Sequence, residues 1–120
     1  MNKFKRILIT GGAGFIGSNF INRLLKETDS ILFNIDKMNY SSDQYFVREK
    51  SNEHNLRFKH YKIDLKNATD ILDAFKEADP DLVINFAAES HVDRSLEFPV
   101  NFIDSNIIGT FNLLEASRIH

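Results

Sequence analysis

A short apolar run, Ile7-Leu8-Ile9, leads without a spacer into Thr10-Gly11-Gly12-Ala13-Gly14-Phe15-Ile16-Gly17-Ser18. A strand that turns through glycines straight into a helix constrains the fold more than anything else in the chain. Such a turn needs backbone without Cβ atoms, and the helix start offers N–H groups and the positive end of a dipole. The arrangement suits an anion, and a pyrophosphate in particular. Two spacings coincide, Gly12-x-Gly14-x-x-Gly17 and the wider Gly11-x-x-Gly14-x-x-Gly17.

The rest of the chain repeats the alternation that this turn begins. Residues 5–9 read as a first strand, and apolar positions from Phe15 to Glu27 recur at helical spacing. Ile31-Leu32-Phe33-Asn34-Ile35 reads as a second strand, closed by Asp36. Residues 37–55 are polar and weakly periodic, and read as a loop with one helical turn near residues 44–50. A third strand is expected over residues 57–63, ending at Asp64-Leu65. Asn67 can cap a helix running to about Glu77, which Asp79-Pro80-Asp81 breaks. A fourth strand over residues 82–86 is apolar at every position but Asn85, as a strand buried on both faces would nearly be. A last helix is expected from near Pro99 to the C-terminus. Strands alternating with helices imply parallel pairing, right-handed crossovers and an α/β fold with helices on both faces of the sheet.

Bulk properties remove several function classes. A formal charge of −2 over 120 residues suggests neither a nucleic-acid nor a membrane-surface binder. The cluster Lys3, Lys5 and Arg6 reads as a solvated strand entrance. No apolar run approaches the roughly 20 residues of a bilayer span. Cysteine is absent, which fits a reducing cytoplasm and excludes thiolate metal sites. His54, His60 and His120 have no metal-ligand spacing and read as surface residues, so no metal site is expected.

Three clusters beyond the glycines can carry chemistry. Asp36 closes the second strand at the distance from the glycines where a carboxylate accepts hydrogen bonds from an adenosine ribose. An acidic group there repels a 2′-phosphate and favours NAD over NADP, although Lys37 beside it is a cation that can tolerate one. Asp64-Leu65 reads equally well as a plain turn or as an adenine contact. The third cluster is Asn85-Phe86-Ala87-Ala88-Glu89-Ser90-His91-Val92-Asp93-Arg94-Ser95, after the fourth strand. Its small residues allow a cofactor to approach the backbone. Ser90, His91 and Asp93 are too close in sequence to form a nucleophilic triad, so a binding role is expected instead.

These stretches together resemble the dTDP-glucose 4,6-dehydratases, a family within the extended short-chain dehydrogenase/reductases. The carriers are Thr10 to Ser18, Asp36-Lys37-x-x-Tyr40, Asp64-Leu65, Ala87-Ala88-Glu89-Ser90-His91-Val92-Asp93-Arg94-Ser95 and Asn106-Ile107-x-Gly109-Thr110. The resemblance implies a Rossmann-type parallel sheet, with residues 1–120 as the N-terminal part of an NAD-binding domain truncated after the fourth strand and its helix. It implies NAD contacts at Gly11, Gly14, Phe15, Ile16 and Gly17, at Asp36, Lys37 and Asn39, and at Asp64 and Leu65. It further implies contacts at Phe86, Ala87, Ala88, Ser90 and Ser105, with Ser90 also near a nucleotide-sugar substrate.

Asn39 and Ser41-Ser42 depart from the usual Thr and Ala-Gly of the family's ribose loop. The family oxidises its sugar with a Tyr-x-x-x-Lys pair and eliminates water with an acidic pair. Tyr40, Tyr45 and Tyr61 are followed four residues on by Gln44, Glu49 and Leu65, so no such lysine is present. Catalytic residues are therefore expected beyond His120, and this stretch alone is expected to be inactive. A homodimer through the last helix, with Phe102, Ile103 and Phe111 on its face, is also implied. The alternatives are another nucleotide-sugar dehydratase or 4-epimerase, or a non-catalytic nucleotide-binding module.

Overall fold

Four parallel strands form one sheet in the order β3-β2-β1-β4, in a computed structural model that describes residues 3–38, 43–87 and 107–120. The strands are β1 (Arg6–Thr10), β2 (Ile31–Ile35), β3 (Phe58–Tyr61) and β4 (Leu82–Asn85). The helices are α1 (Phe15–Glu27), α2 (Gln44–Glu53), α3 (Ala68–Ala78) and α4 (Gly109–Ile119). The expected strands 1, 3 and 4 differ from these by one to a few residues at their ends, and α1 and β2 match in full.

Pleating divides the sheet's side chains between two cores. Ile7 and Ile9 of β1 join Leu32 of β2, Phe58 of β3 and Ile21, Leu24 and Leu25 of α1, with Phe46 of α2 packed against them. Leu8, Phe33 and Ile35 point the other way, onto Ile71, Ala74 and Phe75 of α3 and Leu113 and Ala116 of α4. Helices thus cover both faces, as the alternation predicts. β4 lies at an edge among the described residues, so Leu82, Val83 and Ile84 are half-buried rather than enclosed on both faces.

The stretch read as a loop contains a ten-residue helix. Asp43 caps α2 by accepting from the Phe46 N–H at 2.9 Å, and its own N–H donates to the Ala13 carbonyl at 2.7 Å. Only Val47 of this helix is buried, so its apolar stripe is too thin to register as periodicity. α3 is capped by Asn67, as expected, through the Asp70 N–H at 3.1 Å.

Two basic residues do more than the sequence suggests. Arg6 is not merely a solvated entrance residue: its Nε donates to the Ala78 carbonyl at 2.6 Å, and its guanidinium lies 5.0 Å from the Phe33 ring centre. Beside it the Asp81 carboxylate accepts from the Lys5 and Arg6 N–H groups, which hold it below the usual carboxylate range. Arg57 donates from Nε to the Ser30 carbonyl, and from its two terminal nitrogens to the Leu25 and Thr28 carbonyls at 3.2 and 2.5 Å. It thereby closes the C-terminal end of α1. Arg57→Ala leaves three carbonyls without this cation and is expected to lower unfolding free energy by about 2 kcal/mol, read from a shifted urea midpoint.

Candidate functional site

In a parallel sheet every strand ends at the same edge, so the segments after β1, β2, β3 and β4 converge there. The chain passes outward from β1 through β2 to β3, then crosses to the opposite side of β1 for β4. The crevice between β1 and β4 is the point where the direction reverses, which is where open α/β sheets receive ligands. The glycine turn lies over it.

Each glycine of the turn has a different physical reason to be there. Gly11 has φ +73°, and a Cβ on it would lie 2.6–2.7 Å from the backbone of Phe86 and Ala87. It is required both by its conformation and by the approach of the segment after β4. At Gly12 a Cβ would strike the Asn34 side chain, and at Gly17 it would strike the Gly11 carbonyl, where α1 packs on the turn. Gly14 is different. Among the described residues, a Cβ there would meet only the Gly11 carbonyl oxygen, at 3.4 Å, and otherwise open space.

That open space stands at the start of α1. Gly14 is its N-cap in extended conformation, with no side-chain cap and no acidic residue in the first turn. α2 and α3, by contrast, each carry a capping side chain. Phe15 and Ile16 open the helix with 85% and 67% of their surface exposed, a disposition with no role in the core. An uncapped helix start, a clear space above a glycine and two exposed apolar side chains suit an anion flanked by apolar groups.

Asp36 reaches the turn from β2. Its carboxylate accepts from the Ala13 N–H at 3.1 Å and from the Met38 N–H at 2.8 Å, while the Ile35 carbonyl accepts from the Gly11 N–H at 2.8 Å. Met38 takes a left-handed conformation, φ 61°, to make its bond. Lys37 lies between them, half-buried. The structure thus brings Gly11, Gly14, Phe15, Ile16, Gly17, Asp36 and Lys37 into one neighbourhood.

The remaining candidates divide. Phe86 and Ala87 meet the turn from the β4 side: the Phe86 N–H donates to the Thr10 carbonyl at 2.9 Å, and its ring packs edge-on against Phe20 at 5.4 Å. The Thr10 hydroxyl donates to Asn85 Oδ1, joining the ends of β1 and β4. Asp64 and Leu65 lie after β3, where Asp64 closes a turn by accepting from the Lys66 N–H at 3.1 Å. The Leu65 side chain is buried in the core beneath α3, and its carbonyl accepts from Asn112 Nδ2 at 2.8 Å. Asn39, Ala88, Ser90 and Ser105 lie outside the described residues, as do the polar run 89–95 and Phe102 and Ile103.

Two residues of this neighbourhood escape a reading of the sequence alone. Asn34 is fully buried in β2 and its Oδ1 accepts from the Gly12 N–H at 2.8 Å. His60, expected at the surface, is half-buried in β3 with Nδ1 3.1 Å from Asn34 Nδ2. The one available signal was a polar residue inside an apolar strand. Among the described residues no group of His, Asp or Glu could hold a metal ion, and no helix is long and apolar enough to cross a membrane.

Comparison with known proteins agrees with this geometry. The family model for GDP-mannose 4,6 dehydratase matches residues 8–120. The dTDP-glucose 4,6-dehydratase of Salmonella typhimurium is 42% identical over 113 residues, which are 94% of this chain and 31% of that protein. The Haemophilus influenzae enzyme of the same name is also 42% identical, over 93% of this chain and 32% of its own length. Among solved structures, DesIV of Streptomyces venezuelae, a dTDP-glucose 4,6-dehydratase with NAD bound, superposes with TM-score 0.83 and 31% identity, over 93% of this chain and 35% of that one. The Thermus thermophilus UDP-glucose 4-epimerase in complex with NAD gives 0.81 and 33%, over 94% and 33%. The chain therefore spans about a third of the length of the curated relatives it matches.

Proposed function

This chain belongs to the GDP-mannose 4,6-dehydratase family, and we propose that it forms the NAD-binding portion, residues 1–120, of a dTDP-glucose 4,6-dehydratase. The observation that carries the reading is the open space above Gly14 at an uncapped helix start, flanked by Asp36. A pyrophosphate there would be held by the first N–H groups of α1, with Gly11, Gly14 and Gly17 keeping the backbone low and Phe15 and Ile16 covering it. Asp36, Lys37 and Asn39 would surround the adenosine ribose, and the Asp36 carboxylate would disfavour a 2′-phosphate. Asp64 would face the adenine. Leu65 would contribute chiefly through its backbone, since its side chain is buried in the core. Phe86, Ala87, Ala88, Ser90 and Ser105 would line the nicotinamide side, and Ser90 would also meet the sugar.

When bound, NAD supplies a hydride acceptor and donor for the sugar carbon that is transiently oxidised. The residues of this chain bind and orient it. None of them forms a Tyr-x-x-x-Lys pair, so the proton transfers fall to groups outside these 120 residues. The chain alone is accordingly proposed to be inactive.

The dehydratase reading stands above the epimerase one because the curated relatives at about 40% identity carry that name. The test is an assay of the whole natural reading frame, including whatever follows His120, with dTDP-glucose and UDP-glucose. Formation of the dTDP-4-keto-6-deoxy sugar with loss of water is expected. Interconversion of 4-epimers without water loss would assign the protein to the epimerases, and no turnover of either sugar would leave a binding module. A cytoplasmic location and a homodimer belong to the same proposal. Phe111 and Leu114 support the dimer, since both are over 60% exposed on α4 while Leu113 and Ala116 of the same helix are buried in the core. Light scattering of the chain with Phe111→Glu should show less dimer than the wild type.

A further inference from the structure

Asn34 and His60 are register partners on the adjacent parallel strands β2 and β3. Asn34 is fully buried, and both ends of its amide are used. The Oδ1 faces the Gly12 N–H, which can only donate, so the amide nitrogen must face His60 Nδ1. That nitrogen in turn must accept, which fixes His60 as the neutral imidazole with its proton on Nε2. The amide also fills the space beneath Gly12, where a Cβ would collide with it. The glycine turn therefore rests on Asn34, and Asn34 is oriented by His60.

We propose that Asn34 is a positioning residue for the glycine turn, and that neutral His60 locks its amide in the orientation the turn requires. The link to ligand affinity rests on the NAD reading; the link between His60 and the turn does not. Protonation of His60 places a proton on Nδ1 against the Asn34 amide hydrogens. Either the pair separates or the amide rotates and withdraws its oxygen from Gly12.

The surroundings favour the neutral ring. Burial lowers the tendency of His60 to protonate below its ordinary value of 6.5, and the Asp36 charge opposes this with a smaller effect. From α2, which packs against β3, Lys50 is paired with Glu49 and Glu53 at 3.6 and 3.4 Å. The other ionisable groups of that helix are Tyr45, which bonds to Glu49, and Arg48. Asp36 is the one charge among the described residues that acts appreciably on the ring. Because the folded-state value lies below the unfolded one, the contribution of the neutral ring is complete above about pH 6.5 and is lost as pH falls through the folded value.

The experiment is a ¹H–¹⁵N titration of the full chain between about pH 5 and 8. The His60 ring nitrogens should report the Nε2–H tautomer, and the Gly12 amide should shift and lose exchange protection as His60 titrates. His60→Gln, which offers a neutral acceptor to Asn34, should leave the Gly12 amide insensitive to pH. Asn34→Asp keeps an acceptor for Gly12 and sets a carboxylate beside the ring, so His60 should protonate at higher pH than in the wild type. A Gly12 amide that ignores the His60 titration, or an Nδ1–H tautomer, overturns the proposal. NAD⁺ affinity by calorimetry should fall from pH 7.5 to 5.5 in the wild type, by less than about tenfold because His60 protonates below its ordinary value, and should stay level in His60→Gln. Absence of NAD⁺ binding at every pH would count against the NAD reading, while the amide titration decides the role of Asn34.

Discussion

Gly11→Ala is expected to destabilise the chain by about 2–5 kcal/mol, a large share of the roughly 5–15 kcal/mol that holds a domain of this size together. Two costs combine. Alanine is strained at φ +73°, and its Cβ would lie 2.6–2.7 Å from the main chain of Phe86 and Ala87. Backbone cannot swing aside as a flexible side chain does, so the end of β4 must leave β1. The bonds at stake are the Phe86 N–H to the Thr10 carbonyl and the Thr10 hydroxyl to Asn85. Urea unfolding should show a lower midpoint, and the Phe86 amide should lose exchange protection. Gly14→Ala is the contrast. Among the described residues its Cβ meets only an ordinary contact at 3.4 Å, so stability should change by less than about 0.5 kcal/mol. NAD⁺ affinity should nevertheless fall about tenfold or more, because the methyl enters the space proposed for the pyrophosphate. Unaltered affinity in Gly14→Ala would place the ligand elsewhere.

Asp36→Ala is expected to weaken NAD⁺ binding about a hundredfold, near 2.7 kcal/mol, and to narrow the preference over NADP⁺. The carboxylate does two things at once. It accepts from the Ala13 and Met38 N–H groups, holding the turn and the segment after β2 together, and it is the proposed acceptor for the ribose hydroxyls. Asp36→Asn separates the two roles. It keeps an acceptor oxygen for one backbone N–H but removes the charge that repels a 2′-phosphate. NADP⁺ affinity should therefore rise relative to NAD⁺ in Asp36→Asn even where the turn is preserved. Calorimetry with both nucleotides on each variant reads the ratio. A ratio that stays fixed would make Asp36 a turn residue only.

The strand–glycine–helix unit was legible because each part follows from local chemistry: β-branched and apolar residues before the turn, glycines in it, and an apolar stripe at helical spacing after it. Parallel pairing and helices on both faces followed from the alternation, whereas the strand order β3-β2-β1-β4 is a property of the assembled sheet. α2 was legible only as a single turn near residues 44–50, because QYFVREKSNE buries a single residue and its anchorage comes from Asp43 bonding to the distant Ala13. His60 looked like a surface residue because nothing near it in sequence reveals its partner. The pairing with Asn34 comes from the register of β2 on β3, a property of the assembled sheet. Arg6 misled for a similar reason, since its aliphatic stem and guanidinium are engaged by α3 and Phe33. Local signals named the ligand class, and contacts between strands far apart in sequence built its support.

Titration calorimetry of the wild-type chain with NAD⁺ and NADP⁺ tests the central claim most directly. The glycine turn, the open space above Gly14 and Asp36 predict saturable one-to-one binding of NAD⁺, at least about tenfold tighter than NADP⁺. Heat from NADP⁺ equal to or greater than that from NAD⁺ at the same concentrations, or none from either, would contradict it.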